Sequence, residues 1–208
     1  MFKKMLVVAL FGLMTASAAY AAPDRTGKWD AGVSMAAAIP TDGDLDTAFQ
    51  VGGTFAYGVN EWFAIGFSGA WQQQTVDAET VGTVSISEYD ITGVPLFCDL
   101  IARFPTGDQQ FNPYGVLGLG TVIWSVDDAT ATSGGSVLTA QTDVDTDFAL
   151  KLGGGVDWFI NQNWIINFEA AYVFSSPSAD VTVSGVTVSD DVDLDYWTVG
   201  GGVKYLFS

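Results

Sequence analysis

From Trp164 to Phe174 the chain alternates between two kinds of residue. Trp164, Ile166, Phe168, Ala170, Tyr172 and Phe174 form a bulky apolar set, and the polar and small residues fall in the interleaved set of Ile165, Asn167, Glu169, Ala171 and Val173. A period of two sends these sets to opposite faces of a β-strand. Seven other segments show the same alternation: Trp29 to Ile39, Phe49 to Val59, Trp62 to Gln74, Glu88 to Phe104, Tyr114 to Ser125, Asp147 to Ile160 and Asp193 to Phe207. Each reaches the roughly 9–11 residues that a tilted strand needs to cross a bilayer. No segment sustains a helical period. The expected fold is all-β, an eight-stranded antiparallel up-and-down transmembrane β-barrel; the even strand number suits a closed antiparallel barrel.

The connections divide into two kinds. Val59 to Trp62 and Ile160 to Trp164 are tight Asn-containing turns followed by Trp, and Pro105 to Asn112 carries Pro-Thr-Gly-Asp turn chemistry. The connections at Pro40 to Thr47, Thr75 to Ser87, Val126 to Thr146 and Ser175 to Val192 are mostly longer and rich in Asp, Thr, Ser and Gly. Short turns on one side and long loops on the other predict a periplasmic and an extracellular end.

The residue types on the second face decide which side meets lipid. A soluble β-sandwich or lipocalin-like barrel turns charge outward, but this face is too sparsely charged for a solvated surface and is largely Gly, Ala, Ser and Thr. Arg103, Lys151 and Lys204 share its parity, as do Asp30, Asp99, Asp157 and Glu169. Arg or Lys facing lipid at midplane costs about 2–4 kcal/mol, so these seven residues are expected as a charge network in the lumen. Asp30 with Lys204 is the first expected pair, because the first and last strands are neighbours in a closed barrel; Lys151 with Glu169 is the second. Beyond the network the inward positions include Ser34, Thr54, Ser68, Gly118, Gly120 and Thr198, candidates for the lining of a vestibule. Trp62, Trp158, Trp164, Tyr205 and Phe207 fall near one rim and Trp71, Tyr172 and Trp197 near the other, the placing of two aromatic girdles. Trp124 has inward parity, and either a bulge or a lumen tryptophan accommodates it.

Composition narrows the functions. Lys3 and Lys4, the apolar run Met5 to Met14 and Ala19-Tyr20-Ala21 form a secretory signal peptide over residues 1–21, leaving a barrel domain over 22–208. Cys98 is the only cysteine, so an intrachain disulfide is excluded. The chain has no histidine, which removes Ser-His-Asp and Cys-His catalysis and His-ligated metals. No enzymatic activity and no cofactor are expected. A net charge of −17 argues against nucleic acid as a partner. Asp143, Asp145, Asp190 and Asp191 belong to acidic runs that offer oxygen ligands to Ca²⁺, but none matches an EF-hand loop, and a solvated, mutually repelling rim accounts for them better.

Val94-Pro95-Leu96 through Arg103-Phe104, followed by Phe111-Asn112-Pro113-Tyr114-Gly115-Val116-Leu117-Gly118-Leu119-Gly120, resembles the central strand pair of the small outer-membrane β-barrel superfamily that includes OmpW, OmpX and the membrane part of OmpA. The OmpW-like branch is the most similar. Gly155 through Trp164 looks like that branch's third short hairpin, and Trp197 to Phe207 like its closing strand. The resemblance covers nearly all of the chain after the signal peptide. It implies an integral protein of the Gram-negative outer membrane, surrounded by lipid and lipopolysaccharide and inserted by assembly machinery that reads the closing strand. OmpW-like relatives imply a narrow or lateral, porin-like passage for small solutes. OmpX-like or OmpA-like relatives imply a structural or surface-interaction barrel without a continuous pore.

Overall fold

The computed structural model describes residues 24–41, 46–76, 79–81, 84–87, 89–104, 110–126, 129–133, 136–144, 146–183, 186–191 and 194–207. The signal peptide expected at 1–21 lies outside them. All eight expected strands form: β1 (Trp29–Pro40), β2 (Ala48–Gly58), β3 (Phe63–Val76), β6 (Tyr89–Arg103), β7 (Phe111–Val126), β10 (Asp147–Phe159), β11 (Trp164–Ser175) and β14 (Tyr196–Phe207). They close in the order β1-β14-β11-β10-β7-β6-β3-β2. The seam is continuous from Trp29 opposite Phe207 to Pro40 opposite Tyr196, so neither terminal strand presents an unpaired edge.

The alternation is seen directly in the exposure of the side chains. Val33, Phe148, Met35 and Phe67 stand out from the wall at 61–70% exposure, whereas Ala64, Val122 and Ala149 on the other face have none. Apolar residues on the outside of a closed barrel have lipid as their proper solvent.

Two tight turns use one device. Asn60 Oδ1 accepts hydrogen bonds from the Trp62 and Phe63 amides, each at 2.8 Å, and Asn161 Oδ1 accepts from Asn163 at 2.9 Å and Trp164 at 2.8 Å. The asparagine side chain takes the place of a backbone acceptor and directs the chain into the next strand.

The opposite end carries structure that the loop composition did not suggest. β4 (Glu79–Val81), β5 (Val84–Ile86), β8 (Ala129–Ser133), β9 (Ser136–Val144), β12 (Ser178–Val183) and β13 (Val186–Asp191) form a second sheet, in the order β13-β12-β9-β8-β5-β4. Three of the long connections are therefore hairpins paired side to side above the barrel, with Ala179 opposite Val144 and Val84 opposite Ser133. The crown lies on the long-loop side, which the alternation of connections makes the expected outer end. In a Cys98→Ser background, surface labelling of intact cells should reach a cysteine at Asp46, beside the crown, and miss one at Asn161; the reverse pattern would invert the orientation.

The candidate functional site in the lumen

Seven residues were expected to form a charge network, and all seven side chains lie on the inner face. Their partners differ from the expected ones. Lys204 Nζ lies 3.1 Å from Asp157 Oδ1, while Asp30 Oδ2 takes Arg103 Nη2 at 3.5 Å. Register is the cause, since Lys204 is opposite Gly32 and Asp30 is opposite Leu206. The lysine stands one inward layer above the aspartate and reaches across the lumen instead. Lys151 likewise bonds Asp99, at 2.8 Å to Oδ1, and Ser68 Oγ at 2.8 Å rather than Glu169.

A glycine spacer explains the second exchange. Asp99 is opposite Gly118, and Gly118 is opposite Lys151, so the two charges occupy one level with a strand between them. A Cβ on Gly118 would stand 2.6 Å from Asp99 Oδ1 and 2.9 Å from Lys151 Cε. The missing side chain is the space in which the ion pair forms. The same arrangement recurs along Tyr114, Gly155 and Glu169, where the Tyr114 hydroxyl donates to Glu169 Oε2 at 2.6 Å. Asn167 Nδ2 then joins the tyrosine oxygen at 2.8 Å to Asp157 Oδ1 at 3.0 Å.

Arg25 completes the layer and was not among the expected residues. It precedes β1, yet its guanidinium is buried in the lumen and donates to Asp157 Oδ2 through Nη1 and to Asp30 Oδ2 through Nη2, each at 2.6 Å. Among the described residues the lumen holds four cations, Arg25, Arg103, Lys151 and Lys204, against four carboxylates, Asp30, Asp99, Asp157 and Glu169. Buried charges persist when they are paired, and this balance allows it. Phe159, Ile165 and Leu206 fill the rest of the short-turn end.

The open vestibule expected above the charges is largely filled. Phe97, Val122, Trp124, Val173 and Tyr196 point inward and cluster with Ala38, Ala48 and Ala149, and together with the buried Gln50, Gln72 and Gln74 they close the crown half of the lumen. Trp124 is a lumen tryptophan, 6% exposed, whose ring meets the Tyr196 ring edge-on at 6.4 Å. Of the expected lining residues, Ser34, Thr54, Ser68 and Thr198 border a cavity of about 70 Å³ between the apolar cluster and the charges. That volume holds a few water molecules. Gly118 lies beneath the Asp99–Lys151 pair, and Gly120 lies beneath Phe97.

The girdle residues Trp62, Trp71, Trp164, Trp197 and Tyr205 face outward at 40–48% exposure. Trp158 stacks on Phe111, Tyr172 meets Trp197 edge-on, and Phe207 stacks on Tyr205. The side chains of Asp143, Asp145, Asp190 and Asp191 lie outside the described residues. Asp195 at the same rim already accepts from the Tyr172 hydroxyl at 2.8 Å and the Ser175 amide at 2.9 Å. No group of three or more potential metal ligands occurs among the described residues.

A closed sheet with an apolar exterior and a salt-bridged interior defines an integral outer-membrane β-barrel. The chain belongs to the outer membrane protein beta-barrel domain family, which matches residues 6–207, and its place is the bacterial outer membrane. Among solved structures it is similar to the outer membrane protein OprG from Pseudomonas aeruginosa, at TM-score 0.71 and 20% identity over 90% of this chain and 99% of that one. Outer membrane protein AlkL, solved in lipid bilayers, gives TM-score 0.59 and 18% identity over 94% and 97% of the two chains. E. coli Outer Membrane Protein W gives 0.52 and 19% over 88% and 99%. At these identities the likeness is one of fold. The comparison with curated proteins gives no match.

Proposed function

We propose that the barrel is a narrow passage for small, rather apolar solutes, which are admitted from the crown end and leave sideways through the wall. The charge layer opposes a straight exit, because an apolar solute would have to displace buried ion pairs. The observation that carries the lateral route is a thin place in the wall. Gly53 and Gly69 face outward directly opposite each other on β2 and β3. Outside them lies an apolar groove of about 540 Å³, bordered by Phe55, Phe67, Leu96, Cys98 and Leu119. Inside them lies the 70 Å³ cavity, and the two spaces share Gly53, Thr54, Ser68, Gly69 and Phe97. Little more than backbone separates lumen from lipid there.

The test is uptake of a small apolar solute into vesicles carrying the protein. A Cβ on Gly53 would be 3.5 Å from the Gly32 carbonyl, and one on Gly69 would meet only the movable end of Leu96 closely. Gly53→Phe and Gly69→Phe therefore fill the groove from outside while the barrel still closes, and each should reduce uptake several-fold. A wild-type rate equal to that of protein-free vesicles would leave the structural or surface-interaction barrel as the better reading. The six-stranded crown and the filled lumen favour that second reading.

A further inference from the structure

Arg25 differs from every other lumen cation in how it is held. Arg103, Lys151 and Lys204 project from barrel strands, whereas Arg25 belongs to a turn that folds back under the short-turn end. Among the described residues, few hydrogen bonds hold the backbone of the turn. Gly27 N bonds Gly58 O at 2.8 Å, Gly58 N bonds Lys28 O at 2.9 Å, Lys28 N bonds Arg25 O at 3.1 Å, and Gly27 holds a φ of 71° that other residues adopt at a cost.

The place the guanidinium occupies is built independently of that turn. Asp30 comes from β1 and Asp157 from β10, two strands that are not neighbours in the barrel, so the arginine spans the lumen between opposing carboxylates. The Phe159 ring lies beside it, 5.6 Å from Cζ to the centroid. Among the described residues, Asp157 keeps Lys204 and Asn167 when Arg25 is taken away, and Asp30 keeps the 3.5 Å contact with Arg103. What remains is a preformed pocket of two carboxylates and an aromatic ring, a constellation that suits a planar, forked cation.

We propose that Arg25 is a removable stopper, seated in a guanidinium-binding pocket formed by Asp30, Asp157 and Phe159, and that the short-turn end admits small cations when it leaves. With Arg25 in place the lumen charges balance four against four. Without it, carboxylates outnumber cations, and the mouth selects for positive charge. The stopper is separate from the lateral route, which opens through a different wall.

A cysteine at Ser34, which borders the cavity just above the charge layer, reports the seal. In a Cys98→Ser background in vesicles, a small cationic thiol reagent is added on the short-turn side only. Arg25→Ala should raise the modification rate by about tenfold or more, and more for the cationic reagent than for an anionic one of equal size. Millimolar guanidinium ion should restore the slow rate, while methylammonium at the same concentration should not. Gly27→Val, which leaves the arginine but strains its turn, should give an intermediate rate. Unchanged rates in both variants would overturn the stopper. An acceleration that guanidinium fails to reverse would overturn the pocket. Solute uptake through the wall is not read by this assay, so the stopper and the lateral route fail separately.

Discussion

Replacing Asp157 with leucine should lower the stability of the barrel by about 3–5 kcal/mol, the usual loss when a buried ion pair is broken from one side. Asp157 is 3% exposed and accepts from Arg25, Lys204 and Asn167 together, so leucine leaves two cations facing a low-dielectric lumen with reduced compensation. Asp157→Asn keeps the volume and should cost nearly as much, which separates charge from packing. The double variant with Lys204→Met should recover part of the loss. Urea unfolding in phospholipid vesicles, followed by tryptophan fluorescence, measures each of these. A loss below about 1 kcal/mol for Asp157→Leu would mean that water already screens the pairs.

Trp124→Ala should also cost about 3–5 kcal/mol, as expected for truncating a buried aromatic, and should raise solute uptake where the charge variants do not. The indole sits against Gly93, at which a Cβ would stand 2.6 Å from Trp124 Cζ3, and it is braced by the Tyr196 ring. Tyr196 and Phe97 also border the central cavity, so the vacated volume adjoins it. Lower stability together with faster uptake identifies the aromatic cluster as the constriction. Lower stability with unchanged uptake would place the constriction elsewhere.

The eight barrel strands and the facing of their side chains were legible in the sequence because a period of two marks both. Trp164 to Phe174 shows why: with period two, a single assignment of faces fixes the environment of every residue in the strand. Ion-pair partners were less legible. Lys151 and Glu169 lie on consecutive strands, but pairing depends on the stagger between strands and on glycines such as Gly118 that let side chains meet across an intervening strand. Parity contains no information about either. Arg25 lay in no alternating segment, although the sequence held a sign of it: three inward cations faced four inward carboxylates, one short of balance. The crown was hidden by composition rich in Asp, Thr and Ser. Its signal was local, in Val181 and Val183 against Val186 and Val188 around Ser184-Gly185, and in Gly134-Gly135 between Thr/Ser-containing runs.

The crown constrains how the surface at its end of the barrel can diversify. Because β12 pairs with β9 and β8 with β5, a residue inserted into one hairpin changes the register presented to the next, and three outer connections must vary in concert. Among the described residues, the connection between β1 and β2 contributes no strand to that sheet. A residue inserted beside Asp46 would therefore leave the pairing of the six crown strands unchanged, which makes that position a natural place for a displayed peptide epitope.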